Sequence, residues 1–430
     1  MSTLAIILAA GKSSRMNSSK SKVLHEVGHY PLIKHVMDLA EKKVIVISPN
    51  AKDIEDHIGE TPFVVQEQPL GTGHAVMKAL SHVSPDDDVI VLYGDTPLVT
   101  SDTIKRLSLT EADCVLVGMD LPNPMGYGRM IVDSSNCVNQ VVECLDATES
   151  QQKVTLCWGG VLKIKGDLLL KYLPQISNQN AKQEYYLTSL FELLVQNNHK
   201  IEYIITEHEE LVGVNSKQDL VHLEHVFQER MRKKAIENGA ILEDPKTVYF
   251  SYDTILGRDV LVEPNVYFLP KVTVGEGTRI RAFSYLEGAV IGNDCIIGPF
   301  ARIRPDSVIE EKSRVGNFVE IKNSHLKQKA RINHLSYVGD SHVGVETNIG
   351  AGVVTCNYDG FKKHETRIGD HVFVGSNSSL VAPVKIGDGA IVGAGSVVTN
   401  SVPENALTLS RPTQVDKENG AERYRRIHDV

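Results

Sequence analysis

Short aliphatic runs punctuate the first half of the chain, as at Leu4–Leu8, Val44–Ile47, Val89–Leu92 and Val115–Val117, with helical spacing between them. Buried strands alternating with amphipathic helices predict an α/β domain with a mostly parallel sheet over residues 1–216. Ligands bind beyond the carboxyl ends of such strands, so the residues that follow each run are where chemistry is expected. Ser216 opens an S-x-x-D start signal, and Leu220, Leu223, Phe227 and Met231 follow at helical spacing among many charges. This predicts a linker helix over 217–238.

The period then changes to six. Ile291, Ile297, Ile303, Ile309, Val315 and Ile321 share one register, and Ile368, Val374, Leu380, Ile386, Val392 and Val398 share another. Gly292, Gly298, Gly316, Gly369, Gly375, Gly387 and Gly393 each follow such a residue. Six matches neither a helix nor a simple alternating strand. It fits a parallel β-helix of hexapeptide repeats over 239–430, in which one aliphatic side chain per hexapeptide enters a narrow core and small residues allow tight corners. The register lapses between Ile321 and Val338, across NHLSY, and between Ile349 and Ile368, across TCNYDGFKKHETR. Excursions from a rigid solenoid are favoured places for function.

Composition narrows the classes. A chain of 430 residues exceeds what one core usually organises, which agrees with two domains. A net charge of −9 gives no basic footprint for nucleic acid. Cys114, Cys137, Cys144, Cys157, Cys295 and Cys356 are scattered without ligand-like spacing, as expected of reduced thiols. The opening MSTLAIILAAGK is too short to span a bilayer and has no basic leader pattern, so it reads as a first strand and the expected location is the cytoplasm.

LAAGKSSRM (8–16) places a glycine turn and two cations after a strand, an arrangement suited to polyphosphate. SKVLH supplies Lys22, QEQPLGTGHA (66–75) supplies polar groups for reading a base, and YGD (93–95) ends a strand on a carboxylate. GVN (213–215) adds an amide oxygen; Asp95 with Asn215, completed by phosphate oxygens and water, is a donor set that octahedral Mg2+ accepts.

These segments, with MGYGR, resemble the nucleotide-sugar pyrophosphorylases. Together with the hexapeptide half they resemble the bifunctional N-acetylglucosamine-1-phosphate uridyltransferase/glucosamine-1-phosphate acetyltransferase family over nearly the whole chain. The resemblance implies a Rossmann-like nucleotidyltransferase domain, a linker helix and a left-handed β-helix. It assigns Leu8, Ala9, Ala10, Gly11, Lys22, Gln66, Gly71 and Thr72 to UTP, and Asp95 and Asn215 to Mg2+. Tyr93, Gly94, Gly128, Glu143, Trp158 and Thr188 fall on the UDP-sugar side, and Arg15 and Lys22 are expected to neutralise phosphate.

In the second half FARIRP, VGNFVEIKN, NHLSYVGD, NIGAGVVTCNYDG, VFVGSN, VGAGSV and SRP carry the resemblance. His334 matches the family's general base, and an imidazole suits that role near neutral pH. Arg304, Lys322, Tyr337 and Asn348 are implied to bind glucosamine-1-phosphate, and Ala351, Asn357, Tyr358, Ser376, Ala394 and Arg411 to bind acetyl-CoA. A homotrimer is also implied.

Departures cluster on the sugar side. The family's GKGTRM reads GKSSRM, the proline before KVLH is Ser21, NTG reads Trp158-Gly159-Gly160, and YYITD reads YYLTS with Ser189. An indole has one donor and no acceptor, so Trp158 is expected to occupy sugar space and stack there, weakening sugar recognition, unless it packs away from the pocket. Three readings follow: both halves catalytic; a pyrophosphorylase with the β-helix as a scaffold, or an acetyltransferase with an impaired first half; and a non-enzymatic member. Retained His334, Asn357 and Arg411 argue against a bare scaffold, and retained Asp95 and Asn215 against the non-enzyme.

Overall fold

The computed structural model describes the chain except residues 1, 2, 12, 13, 125, 429 and 430; Lys12, one of the two cations of the first turn, lies outside the described residues. Two compact units are present, Met1–Arg230 and Met231–Val430, and the helix Lys217–Glu237 contains the division.

In the first unit the strand order is Ile201–Ile205, Cys114–Asp120, Leu156–Lys165, Asp88–Tyr93, Thr3–Ala9, Lys43–Ile47 and Phe63–Val65. All neighbours run parallel except Leu156–Lys165, which is antiparallel to both of its partners. A sheet covered on both faces needs strands that are apolar throughout. Thr3–Ala9 shows why: Leu4, Ile6 and Leu8 enter one core cluster, and Ala5, Ile7 and Ala9 enter the other. The hairpin of Gly128–Val132 and Val138–Val142 attaches to the sheet where Gly128 pairs with Trp158.

Glu210 ties two loops of this unit together. Its carboxylate accepts from the Thr100 amide and from the hydroxyls of Thr100, Thr103 and Thr206. Thr100 follows the loop after Asp95, and Glu210 precedes Gly213–Asn215. The junction therefore holds both carboxyl-end loops from behind.

In the second unit three faces of short parallel strands stack coil upon coil. One face runs through ten strands from Ile241–Leu242 to Leu407–Thr408. The other two are joined where Glu320–Leu326 and Tyr337–Val343 each turn a corner within one strand, pairing at Ile321–Val338 and again at Leu326–Val343. This is the β-helix expected from the period of six, with the left hand that the resemblance implied. All twelve in-register aliphatics, from Ile291 to Ile321 and from Ile368 to Val398, lie in one core cluster at 4% exposure or less.

The lapses in period have a geometric cause. Arg314 pairs with Arg331 and Arg331 with Asn348, steps of 17, one short of three hexapeptides. Asn348 then pairs with Phe373, a step of 25, before Phe373 to Ile391 restores 18. The extra residues leave the coil as a hairpin closed by a Tyr358–Lys363 bridge. Asp359 braces it: the Lys362 amide, the His364 imidazole and the Phe361 amide hold its carboxyl down to about 2.

Two outcomes are expected. Ile297→Ala should cost about 2–5 kcal/mol in denaturant unfolding, because the narrow core cannot close over the cavity. Glu210 is pushed up by burial, but the hydrogen bonds from Thr103, Thr206 and Thr100 outweigh this and leave its carboxyl below the ordinary range. A depressed acid stabilises the fold above the unfolded pKa and loses that contribution as pH falls through the folded value. Glu210→Gln should therefore cost about 1–3 kcal/mol at neutral pH, with the gap to the parent narrowing below about pH 4 in urea melts.

Candidate functional site

The parallel strands of the first unit end side by side, and their carboxyl ends enclose a cavity of about 290 Å3. Leu8, Ala9, Ala10 and Gly11 line it from the central strand, Tyr93 and Asp95 from the next, and Gln66, Gly71 and Thr72 from the loop after Phe63–Val65. Lys22 closes another side. Gly94, between Tyr93 and Asp95, donates its amide to Leu8 O at 2.9 Å and keeps the two strand ends together. Gly71 has φ +111°, and a Cβ there would come within 2.6 Å of Tyr185 O, so only glycine allows the loop to lie against residues 184–188. Glu184, which no sequence pattern singled out, enters the cavity through that contact.

Lys22 bonds the Asp95 carboxylate and lies 3.3 Å from Asn215 Oδ1, to which the Arg15 guanidinium donates at 3.0 Å. Asp95 and Asn215 thus direct oxygens at one cationic group. Among the described residues no group of three or more His, Cys, Asp or Glu is placed to hold a metal. One carboxylate and one amide oxygen leave most of an octahedral shell to phosphate and water, a set that fits Mg2+.

A second cavity of about 360 Å3 contains Glu143 and Thr188, whose hydroxyl donates to Glu143 Oε1 at 3.3 Å. Burial raises the Glu143 carboxyl above its ordinary range. Burial also raises the Tyr93 phenol, with the Glu143 charge adding to the shift, so the two cavities are electrostatic neighbours. The remaining lining combines polar Gln140, Asp146, Asn180 and Glu192 with apolar Val141, Val142, Ile176 and Leu193. Gly128 and Trp158 line neither cavity.

Trp158 instead packs in the core at 6% exposure, edge-on to Phe191 with ring centres 5.2 Å apart, and its Nε1–H donates to Val161 O at 3.1 Å. The expectation of an indole stacked in sugar space is corrected by this geometry. The adjacent bulge turns the chain at Gly160, where φ is +90° and a Cβ would meet the Tyr93 ring at 2.7 Å.

In the β-helix, His334 ends the strand Arg331–His334 and stands at a corner. Its Nδ1 is 2.6 Å from Asn317 Oδ1 on the coil before. An amide oxygen only accepts, so Nδ1 carries the hydrogen and Nε2 keeps a free lone pair. From His334 a column of corners continues along the prism: Gly352 donates to His334 O, Asn377 to Ala351 O, and Gly395 to Ser376 O. Arg411 closes the column by donating to Ala394 O at 2.7 Å. A cavity of about 160 Å3 at His334 adds Arg281 and Arg314, which carry no motif.

The face beyond that corner carries Arg304, ion-paired with Glu320 at 2.8 Å, and Lys322, whose strand partner is Gly339. The Tyr337 ring lies over Gly339, and its hydroxyl receives Asn357 Nδ2 at 3.4 Å. Asn357 also bonds the Asp340 carboxylate, whereas Tyr358 is exposed and bonds Gly360 O. Asn348 sits on a different face, between Arg331 and Phe373. Lys363, missed in the sequence because it lies in the hairpin, meets Lys322, whose proximity lowers the Lys363 ammonium below the usual lysine range. The two lysines concentrate positive charge here, partly offset by the Asp340 carboxylate.

Residues 5–149 match the MobA-like NTP transferase domain family, and residues 253–288, 288–323 and 365–400 match the bacterial transferase hexapeptide family. Along the chain, the protein is 42% identical to the bifunctional protein GlmU of Paramagnetospirillum magneticum, covering 98% of this chain and 96% of that one. It is 43% identical to that of Zymomonas mobilis, over 98% and 97% of the two chains, and 44% identical to that of Paracoccus denitrificans, over 96% and 94%. The chain belongs to the GlmU family. As a GlmU it is a bifunctional transferase of UDP-N-acetylglucosamine synthesis, with the nucleotidyltransferase first and the hexapeptide acetyltransferase second. The hexapeptide matches leave residues 324–364 between them, the stretch of the chain that carries His334, Tyr337, Asn357 and the hairpin.

Trp158→Asn tests the correction. Loss of the core indole, with a buried amide in its place, should cost at least about 3 kcal/mol in thermal or denaturant unfolding of the first unit, without improving sugar kcat/KM.

Proposed function

We propose that the corner column from His334 to Arg411 is the acetyl-transfer site, and that the cavity around Asp95 is the uridylyl-transfer site, each using the residues assigned above. In the first step, the amine of glucosamine-1-phosphate attacks the thioester carbonyl of acetyl-CoA, and the tetrahedral adduct collapses to the amide as the C–S bond breaks and CoA leaves as its thiol, taking up one proton. His334 Nε2 accepts the proton that the amine sheds, and Asn317 keeps Nδ1 protonated so that Nε2 faces the reaction. The sugar phosphate is held by Arg304, Lys322 and Lys363, with Tyr337 and Asn348 at the sugar. Acetyl-CoA lies along Ala351, Asn357, Tyr358, Ser376, Ala394 and Arg411, and backbone N–H groups at the Ala351 corner stabilise the oxyanion. The observation that carries this reading is the stack of corners beginning at His334, whose Nδ1 lies 2.6 Å from Asn317 Oδ1.

In the second step, the N-acetylglucosamine-1-phosphate oxygen attacks the α-phosphorus of UTP and pyrophosphate leaves. Leu8 to Gly11, Gln66, Gly71 and Thr72 hold the nucleotide, while Arg15 and Lys22 offset charge on the phosphates. Glu143, Thr188, Tyr93 and the chain at Gly94 bound the sugar, with Gly128, which lines neither cavity, left out of that contact. Asp95 and Asn215 would hold Mg2+, which when bound neutralises triphosphate charge. Support comes from the convergence of their oxygens on Lys22.

The assembly proposed is a homotrimer in the cytoplasm. Phe283, Phe300 and Phe318 stack along one corner at 45–56% exposure, with ring centres 4.9 and 5.1 Å apart. Such an apolar ridge suits burial against another copy. The six cysteines are free thiols, and among the described residues no helix is long and apolar enough to cross a membrane.

Incubation with glucosamine-1-phosphate, acetyl-CoA, UTP and Mg2+ should yield UDP-N-acetylglucosamine by mass spectrometry. His334→Ala should lower acetyl transfer about 10²–10⁴-fold and leave uridylyl transfer near the parent rate. Unchanged thiol release from acetyl-CoA in that variant would remove His334 from the mechanism. Sedimentation should give three chains per particle, and an active monomer would exclude the shared assembly.

A further inference from the structure

Asn215 stands at the threshold of the helix Lys217–Glu237, and what fixes it there is a side chain one turn on. Asp219 Oδ2 accepts from the Asn215 amide and from the Ser216 amide, both at 2.8 Å. Ser216 Oγ returns the contact by accepting from the Asp219 amide at 3.2 Å. On the other side Val214, the residue before Asn215, donates to Asp95 O at 2.9 Å, so the main chain leading into Asn215 is tied to that of Asp95. The Asn215 side chain then reaches Arg15 and Lys22 through Oδ1, and its Nδ2 rests on Gly213 O at 3.3 Å. Val214 thus keeps the segment beside Asp95, and Asp219 holds the Asn215 peptide from which the amide side chain projects.

We propose that Asp219 is a positioning residue for the divalent-cation site, holding the Asn215 amide oxygen on the point it shares with Asp95. The inference rests on the reading of Asp95 and Asn215 as cation ligands. A carboxylate is suited to the task because a single oxygen can take both amides, and its charge complements the positive end of the helix. Losing a residue that orients a metal ligand commonly lowers metal affinity by about 10–100-fold. Asp219 touches neither nucleotide nor sugar in the proposed arrangement, so its loss should appear in cation dependence ahead of turnover.

The test uses the full chain with UTP present and Mn2+ as probe, its binding followed by electron paramagnetic resonance, beside Mg2+ activation of uridylyl transfer. Asp219→Ala should weaken Mn2+ binding about tenfold and raise the Mg2+ needed for half-activity in parallel, with kcat at saturating Mg2+ within about twofold and acetyl transfer unchanged. Asp219→Asn, which retains an acceptor oxygen, should restore Mn2+ binding to within about threefold of the parent. Ser216→Ala frays the same helix start but leaves the Asn215–Asp219 bond, so it should lower the melting temperature without moving Mn2+ affinity. Equal weakening by Ser216→Ala and Asp219→Ala would reduce Asp219 to a helix cap and overturn the proposal. Parent-like Mn2+ binding in Asp219→Ala, with binding lost in Asn215→Ala, would also overturn it while leaving the ligand reading intact. Parent-like binding in Asn215→Ala would sink the ligand reading and the proposal with it. If Asp219→Ala fails to fold, Asp219→Leu, which is a good helix former with no acceptor oxygen, carries the same expectation.

Discussion

Parallel strand pairing at a fixed spacing of about 4.8 Å is the constraint on which the rest depends. In the β-helix it forces each residue to lie over its counterpart on the next coil, so a residue type repeated at one position becomes a column. Inward columns of Ile and Val make the core, and the corner column from Asn317 through His334 to Arg411 makes a candidate site. In the α/β unit the same pairing brings the ends of Thr3–Ala9 and Asp88–Tyr93 into register, so that Gly11 and Asp95, far apart in the chain, line one cavity.

Both folds were legible because each depends on periodicity. A buried parallel strand must be apolar on both faces, and a β-helix coil must supply an aliphatic residue at each inward position; a pattern of either kind survives in the sequence whatever the ligand. The nucleotide cavity was legible for a related reason. Leu8 to Gly11, Tyr93 and Asp95 sit at strand ends, where topology alone gathers them, and the PLGTG loop carries a glycine that its close approach to Tyr185 requires.

What escaped the sequence lies where topology does not decide the outcome. Trp158 occupies a position the resemblance gives to the sugar side, and only the coordinates decide between the two orientations open to it: the side chain turns into the core, where Val161 offers its N–H a partner and Phe191 offers its ring an edge. Lys363 was missed because its importance comes from meeting Lys322 across a hairpin, and no spacing encodes that meeting. Arg281 and Arg314 come to His334 only through the stacking of coils. The helix start at Ser216 and Asp219 was read as a cap, but its attachment to Asn215 needed coordinates.

The long coil between Asn348 and Phe373 has a wider consequence for how this architecture can vary. Because both ends of the hairpin return to the ladder in register, with Asn348 paired to Phe373 and Thr355 to Leu380, the protruding segment behaves as cargo on a fixed frame. It can be lengthened, shortened or exchanged while the coils on either side keep their partners. Divergence of this protruding surface is thereby uncoupled from divergence of the core, so one loop can be rewritten while the coils that carry it stay unchanged.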